Sequence, residues 1–179
     1  MAILTRRELI RTGVAGALVF ALADCAHSAT PGALPFADPD YDYKQLSSDD
    51  RVLIAAIAPA MLAGVLPQGE AGAHAIEMVV RGVDVAIAGL APSPQAEVHQ
   101  LFGLLEFGLT RALAAGIWSS WEDAGTPAIA DFLSRWRYSG ISMFRSGYQA
   151  LHQLFMASWY GNDASWARIG YPGPPKIPA

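Results

Sequence analysis

The chain has 179 residues, of which 53% are hydrophobic and only 16% are charged, with a formal net charge of −4. An acidic chain lacks the clustered positive charge that neutralises phosphates, so nucleic acid is excluded as a partner. Cysteine occurs once, at Cys25, which excludes a disulfide scaffold. We expect one domain of roughly 150 residues after a leader segment, stabilised by packing, by a partner, or by both.

The beginning of the chain has the pattern of an export signal. Arg6 and Arg7 are followed by Leu9 and Ile10, and an apolar run then covers residues 13–23. Eleven residues rise only about 16 Å as a helix, which is too short for a hydrocarbon core of about 30 Å. A signal peptide therefore fits better than a membrane anchor. The paired arginines predict the twin-arginine signal, which directs folded proteins to the periplasm.

Two interpretations of the end of this leader stay open. Ala26-His27-Ser28 has small residues at the −3 and −1 positions, which predicts cleavage after Ser28 and a signal peptide of residues 1–28. Residues 22–25 resemble a lipoprotein box ending at Cys25, although Asp24 stands where a small residue is expected. Lipidation of Cys25 is therefore the alternative to a discarded, unmodified leader.

The remaining chain divides into three parts. Residues 29–46 contain three prolines and no helical periodicity, which predicts an extended N-terminal arm. Residues 47–161 form a helical domain in this prediction, because no stretch shows the sustained alternation of a strand. Residues 162–179 are predicted to be an extended C-terminal interaction tail, rich in aromatic residues and proline. The fold prediction is all-α, an irregular bundle of about five helices.

The predicted helices begin at recognisable signals. Ser47 opens the first helix with a capping-box pattern, and the residues from Val52 to Leu66 are apolar nearly all round, which is typical of a buried helix. A second helix covers residues 73–90. Ser93-Pro94 and Thr126-Pro127 have the cap-and-proline pattern of two further helix starts. A last long helix follows Gly140 and continues through Trp159.

Helical spacing predicts which faces point inward. The third helix is expected to run to about Gly116, and its inward stripe consists of Val98, Leu101, Leu105, Leu109 and Leu113. Corresponding stripes in the fourth and last helices consist of Ile129, Phe132, Leu133 and Trp136, and of Phe144, Tyr148, Leu151, Phe155 and Trp159. In the tail, Asn162 or Asp163 is expected to cap one helical turn that ends at Gly170.

Known catalytic motifs are absent from the sequence. It has no Gly-x-Ser-x-Gly elbow, no haem attachment motif and no glycine-rich dinucleotide fingerprint after a strand. His74 and His152 lack the Glu-x-x-His spacing of a di-iron site. Glu106 and His99, seven residues apart on one helix face, are the basis of a separate hypothesis of an independent exported enzyme. We predict no catalytic residue, metal site or cofactor in this chain.

Two groups of residues are candidates for binding a partner. Arg135, Arg137 and Arg145 lie around Gly140 and could clamp a partner carboxylate, or pair with carboxylates of this chain. In the tail, Trp, Tyr and Arg are the residue types that contribute most to interface energy. The predicted interface consists of Trp159, Tyr160, Asn162, Trp166, Arg168, Ile169, Tyr171 and Pro172, together with Arg135 and Arg137. The alternative is that the tail packs on its own bundle.

Residues 159–173 read Trp-Tyr-Gly-Asn-x-x-x-Trp-x-x-Ile-Gly-Tyr-Pro-Gly. With the twin-arginine leader and a helical body that lacks cofactor motifs, this segment resembles the gluconate 2-dehydrogenase subunit 3 family. These are the small (gamma) subunits of membrane-associated periplasmic dehydrogenases whose large subunits are FAD-dependent proteins of the glucose-methanol-choline type. The resemblance is specific over these residues and loose over the helical body.

The resemblance implies a non-catalytic, chaperone-like small subunit. Such a subunit binds and stabilises the flavoprotein large subunit of a dehydrogenase for sugars, alcohols or related substrates, and supplies the export signal for both chains. FAD is expected in the partner, a cytochrome c subunit is a further expected partner, and the twin-arginine translocase is the expected carrier. The expected location is the periplasm, with membrane association through the complex. The alternative is a stand-alone exported helical protein, with or without a lipid anchor.

Overall fold

The computed structural model describes residue 38 and residues 40–175. The predictions that concern Arg6, Arg7, Leu9, Ile10 and Cys25, and cleavage after Ser28, fall outside these residues. The described chain consists of helices and their connections and contains no strand, so the prediction of an all-α irregular bundle is confirmed. The helices are α1 (Ser48–Met61), α2 (Glu70–Ala88), α3 (Pro92–Glu106), α4 (Gly108–Thr110), α5 (Thr126–Arg137), α6 (Ser142–Tyr160) and α7 (Asp163–Ile169), and a π-helical turn, Arg111–Ala115, follows α4.

The predicted capping box at the start of α1 is confirmed. The Ser47 hydroxyl accepts a hydrogen bond from the backbone nitrogen of Asp50 at 3.1 Å, and the Asp50 carboxylate accepts one from the backbone nitrogen of Ser47 at 2.8 Å. The caps predicted at Ser93 and Thr126 are wrong, since α3 and α5 begin after Ala91 and Gly125 without a side-chain cap. In both helices proline lies in the first turn, where its missing N–H is not needed.

The longest helices, α2 and α6, pack closely against each other at Gly82. A Cβ atom added to Gly82 would lie only 2.8 Å from the Cβ atom of Ser158, so glycine allows the two backbones to approach. The core around this contact consists mainly of aliphatic side chains and phenylalanine, and its largest fully buried members include Leu53, Ile57, Ile87, Phe102, Phe132, Leu151 and Phe155.

The prediction of one continuous helix from Ser93 to about Gly116 is wrong. The helix α3 ends at Glu106, and Phe107 has an extended backbone with ψ of 118°. This bend changes the direction of the chain. The π-helical turn that follows has more residues per turn than an α-helix, so its side chains point in different directions. As a result Ala112 and Ala115 face inward, while the two leucines predicted to be inside lie outside: the exposed fraction is 58% for Leu109 and 72% for Leu113.

The last part of the N-terminal arm is bound to α2 by a buried carboxylate. Asp84, which is 1% exposed, accepts hydrogen bonds from the backbone nitrogens of Lys44, Gln45 and Leu46 at 2.8–3.1 Å. One turn earlier on α2, Arg81 forms two hydrogen bonds of 2.7 Å with the carboxylate of Asp38. This ion pair holds the pKa of Asp38 below its usual value. The arm therefore packs on its own domain at these residues.

Candidate partner interface

The segment 107–118 exposes large apolar side chains. It contains Leu109 and Leu113 and also Trp118, which is 79% exposed. Thr110 stabilises the bend that turns these residues outward, because its one hydroxyl proton is within reach of the carbonyl oxygens of Phe107, at 2.9 Å, and Leu104. Exposure of such side chains to water is unfavourable in free energy. Clustered exposed apolar residues are typical of interaction surfaces.

The bundle holds this segment in place through α5. The indole nitrogen of Trp136 donates to the carbonyl oxygen of Ala114 at 2.9 Å, and the guanidinium of Arg135 donates to that of Ala115. The next residue, Gly116, has a positive φ of 69°, and a Cβ atom there would lie 2.6 Å from the Arg135 guanidinium. The apolar side chains are therefore presented on a backbone fixed by side-chain hydrogen bonds.

The connection between α5 and α6 exposes a second group of large apolar side chains. Tyr138, Ile141 and Met143 are 74%, 55% and 60% exposed. The ring of Trp136 stacks on that of Phe144 with centroids 5.3 Å apart, so the indole that binds Ala114 also contacts the start of α6. We call the exposed residues Leu109, Leu113, Trp118, Tyr138, Ile141 and Met143 the α5-end surface.

An apolar groove of about 670 Å³ lies between α3 and α6 and reaches α2. Gly147 forms part of its floor, because a Cβ atom there would lie 2.6 Å from the Trp136 ring and 3.4 Å from the Leu101 side chain. Met143 belongs both to the groove and to the α5-end surface. The other lining residues are mainly aliphatic and include Leu90, Val98, Leu104, Ala150 and Leu154. The shape and composition match those of sites that bind apolar partners.

The three arginines of the sequence prediction bind within the chain, but not to carboxylates. Arg135 donates to Ala115, and Arg145 donates to the carbonyl oxygen of Ser139 at 2.6 Å. Arg137 lies over the rings of Tyr138 and Tyr148, with its Cζ atom 5.3 and 5.8 Å from the ring centroids. The ion pairs of the described residues do not include these three arginines.

The predicted tail residues lie at the other end of α6. Trp159 is 4% exposed and belongs to the core, whereas Tyr160, Ile169, Tyr171 and Pro172 are exposed. Because α6 has 19 residues, about 27 Å separate its two ends. The structure therefore does not bring the tail together with Arg135 and Arg137 into one patch.

The tail also packs on itself. The Trp166 indole donates to the carbonyl oxygen of Tyr160 at 2.8 Å and lies edge-on to the ring of Tyr171. Asn162 is partly buried, and its side-chain nitrogen lies 3.4 Å from the sulfur of Met78. The predicted helical turn ending at Gly170, which has φ of 69°, is confirmed as α7. The side chain of Arg168 lies outside the described residues.

The acid–base pair predicted on α3 does not form one site. The Glu106 carboxyl hydrogen-bonds Asp50 at the start of α1, while His99 is exposed. Burial, the hydrogen bond and the negative charges of Asp50 and Asp49 raise the pKa of Glu106 to about 8. One of its carboxyl oxygens is buried without a partner. Within the described range, no three histidine or acidic side chains are placed to hold a metal ion.

Sequence reasoning did not find the α5-end surface or the groove. Gly108 was the available sequence signal for the bend, since glycine weakens a helix interior. In the part of the chain that the structure covers, no helix combines the length and apolarity needed to cross a bilayer. Comparisons of this chain with protein-family models, curated proteins and solved structures give no match.

Proposed function

We propose that this chain is a non-catalytic small subunit that binds, stabilises and co-exports the flavin-containing large subunit of a periplasmic dehydrogenase. The observation that carries the proposal is the α5-end surface. Three of its apolar side chains, Leu109, Leu113 and Trp118, belong to the segment whose backbone is bound to α5 by Trp136 and Arg135. A surface fixed in this way loses little conformational freedom when a partner covers it, so more of the contact energy becomes affinity.

The residue types of this surface fit a protein partner. Trp118 and Tyr138 are exposed aromatic residues, and both types are enriched at the energetic centres of interfaces. The groove between α3 and α6 continues the apolar area through Met143. The exposed side chains and the groove supply apolar area that a chain of mean hydropathy +0.26 would cover by binding another protein.

The export signal and the tail support the proposed identity of the partner. A twin-arginine signal at Arg6 and Arg7 suits cargo that folds before export, as a flavoprotein does when it binds FAD in the cytoplasm. The resemblance of residues 159–173 to small subunits of flavin dehydrogenases gives the class of partner. In this proposal FAD and the substrate pocket belong to the large subunit, and a cytochrome c subunit receives the electrons.

The export part of the proposal has a direct test. Arg6→Lys and Arg7→Lys are introduced together, and the flavoprotein is quantified in periplasmic and cytoplasmic fractions by its flavin content. We expect the flavoprotein to remain in the cytoplasm with the variant chain. If flavoprotein export continues at the wild-type level, co-export is wrong.

The second candidate function is a stand-alone exported helical protein that is anchored by a lipid on Cys25. The observation that favours it is the resemblance of residues 22–25 to a lipoprotein box. Mass spectrometry of the mature chain distinguishes the two candidates. An acylated N-terminal cysteine on a chain free of flavoprotein supports the anchor, whereas a chain that starts at Ala29 and co-purifies with flavin supports the subunit.

A further inference from the structure

A small cavity beside Arg137 lies on the side of α5 that faces α1 and α6. It has a volume of about 310 Å³. Met61 and Leu133 form its apolar wall, and Ser134, Arg137, Tyr138 and Tyr148 form its polar wall. Of these lining residues, only Tyr138 also belongs to the α5-end surface.

Arg137 is an exposed residue in the lining of the cavity and lies beside two aromatic rings. Its Cζ atom lies 5.3 Å from the ring centroid of Tyr138 and 5.8 Å from that of Tyr148. Aromatic rings contact the flat face of a guanidinium, while its five N–H donors lie in its plane. Neither a hydrogen-bond acceptor nor a carboxylate of the described residues occupies these donors. The donors therefore remain available to a ligand.

The one charged side chain in the lining of the cavity is the cation Arg137, although the chain is acidic. Arg145 lies three residues before Tyr148 on α6, and it donates to the carbonyl oxygen of Ser139, next to Tyr138. Two guanidinium groups thus flank the connection between α5 and α6 in a chain whose formal net charge is −4. An anionic group in the cavity would gain electrostatic energy from Arg137, and Arg145 adds positive charge to the same connection.

A single carboxylate fits the cavity better than a phosphate does. Arg137 is the one cationic side chain in its lining, which matches one negative charge. The planar guanidinium can form two parallel hydrogen bonds with a planar carboxylate. The apolar wall of Met61 and Leu133 suits the methylene groups of a glutamate or aspartate side chain.

We propose that this cavity binds an aspartate or glutamate side chain of the partner subunit, with paired hydrogen bonds from Arg137. The inference rests on the proposed function and deepens it, because it names the chemical group by which the large subunit is recognised. A carboxylate paired with Arg137 at the edge of an apolar contact fixes the orientation of the partner and adds specificity.

The test measures binding of the co-expressed flavoprotein to the full-length chain at about 100 mM salt. We expect Arg137→Gln to weaken binding at least thirtyfold. Arg137→Lys should weaken it about tenfold, because lysine keeps the charge but lacks the planar guanidinium that forms two parallel hydrogen bonds. Arg51→Gln is the matched control, since Arg51 lies over the ring of Tyr43 in the arm. It removes the same charge elsewhere and should change binding less than twofold.

Competition with free anions distinguishes a carboxylate from a phosphate as the group that the cavity binds. Glutarate and inorganic phosphate are added at equal ionic strength to the wild-type complex. Stronger release of flavoprotein by glutarate supports the carboxylate site, and stronger release by phosphate overturns it. If Arg137→Gln binds the flavoprotein as tightly as wild type, the inference is wrong while the proposed function stands. If the wild-type chain binds no flavoprotein, both are wrong.

Discussion

Trp136 and Ala114 are joined by a hydrogen bond of 2.9 Å between the indole nitrogen and the backbone carbonyl oxygen. This bond connects the buried side of α5 to the segment that exposes Leu113 and Trp118. It therefore links the packing of the core to the shape of the proposed interface. An exposed apolar segment without such a bond would have to become ordered when the partner binds, at a cost in conformational entropy.

Removing this bond tests how the surface is fixed. Trp136→Phe keeps an aromatic ring but loses the N–H donor, so we expect the free energy of unfolding to fall by about 1–3 kcal/mol. Amide hydrogen exchange of residues 107–118 should accelerate more than that of α2. Equal acceleration in both regions would show that the bond has only a global structural role.

The contact between α2 and α6 predicts a large effect of one methyl group. In Gly82→Ala the new Cβ atom would lie 2.8 Å from Ser158, and we expect a loss of about 1–3 kcal/mol in the free energy of unfolding. Gly103→Ala is the control, because nothing lies within 4 Å of its Cβ position on α3. Alanine there should stabilise the helix by about 0.5–1 kcal/mol. Urea unfolding measures both, and equal effects would contradict the packing described.

The hydrogen bonds accepted by Asp84 are expected to hold the N-terminal arm on α2. Asp84→Ala leaves the backbone N–H groups of residues 44–46 without their acceptor, and we expect a loss of about 2–4 kcal/mol in the free energy of unfolding. Asp131→Ala, an exposed change on α5, should cost less than about 0.5 kcal/mol. Amide exchange at residues 44–46 reports the arm directly, and unchanged protection in Asp84→Ala would contradict this role.

The pKa of Glu106 predicts a pH dependence of stability. The folded chain keeps the Glu106 proton up to about pH 8, whereas the unfolded chain loses it near the usual value of 4.5. Between these values the folded state binds more protons, so the free energy of unfolding falls as pH rises. The cause is burial first, and then the hydrogen bond and charge of Asp50.

Urea unfolding at pH 5 and pH 8.5 checks this sign. Glu106→Gln should reduce the loss of stability between the two pH values, because glutamine cannot ionise. Glu97→Gln, an exposed change on the same helix, should leave the loss as it is in wild type. Parallel pH profiles for wild type and Glu106→Gln would exclude Glu106 as the titrating group.

Much of the fold could be predicted from local patterns in the sequence. The capping box at Ser47, the helical spacing of Phe132 and Trp136, and the glycine stop at Gly170 each depend on residues within one or two turns. Such signals act over short range and are therefore visible in the sequence. The helices α3 and α5 begin at Pro92 and Thr126, one or two residues before the starts that the sequence predicts. The reason is that proline lies within the first turn and does not follow a capping side chain.

The candidate site was harder to predict because it depends on long-range contacts. A continuous stripe through Leu105, Leu109 and Leu113 requires an unbroken helix, and the bend at Phe107 removes that condition. Helical spacing places Trp159 on the inward stripe of the last helix while residue type suggests an interface, and its 4% exposed fraction agrees with the stripe. Residue type alone does not distinguish an aromatic side chain of the core from one of an interface.

Purification of the tagged full-length chain from cells that also express the proposed flavoprotein partner tests the central claim most directly. The account predicts that the wild-type chain elutes with one equivalent of flavoprotein, detected by flavin absorbance. Trp118→Ser with Leu113→Ser should reduce the recovered flavin at least tenfold and leave the helical circular dichroism unchanged. A folded wild-type chain that elutes alone, without flavin, would contradict the account.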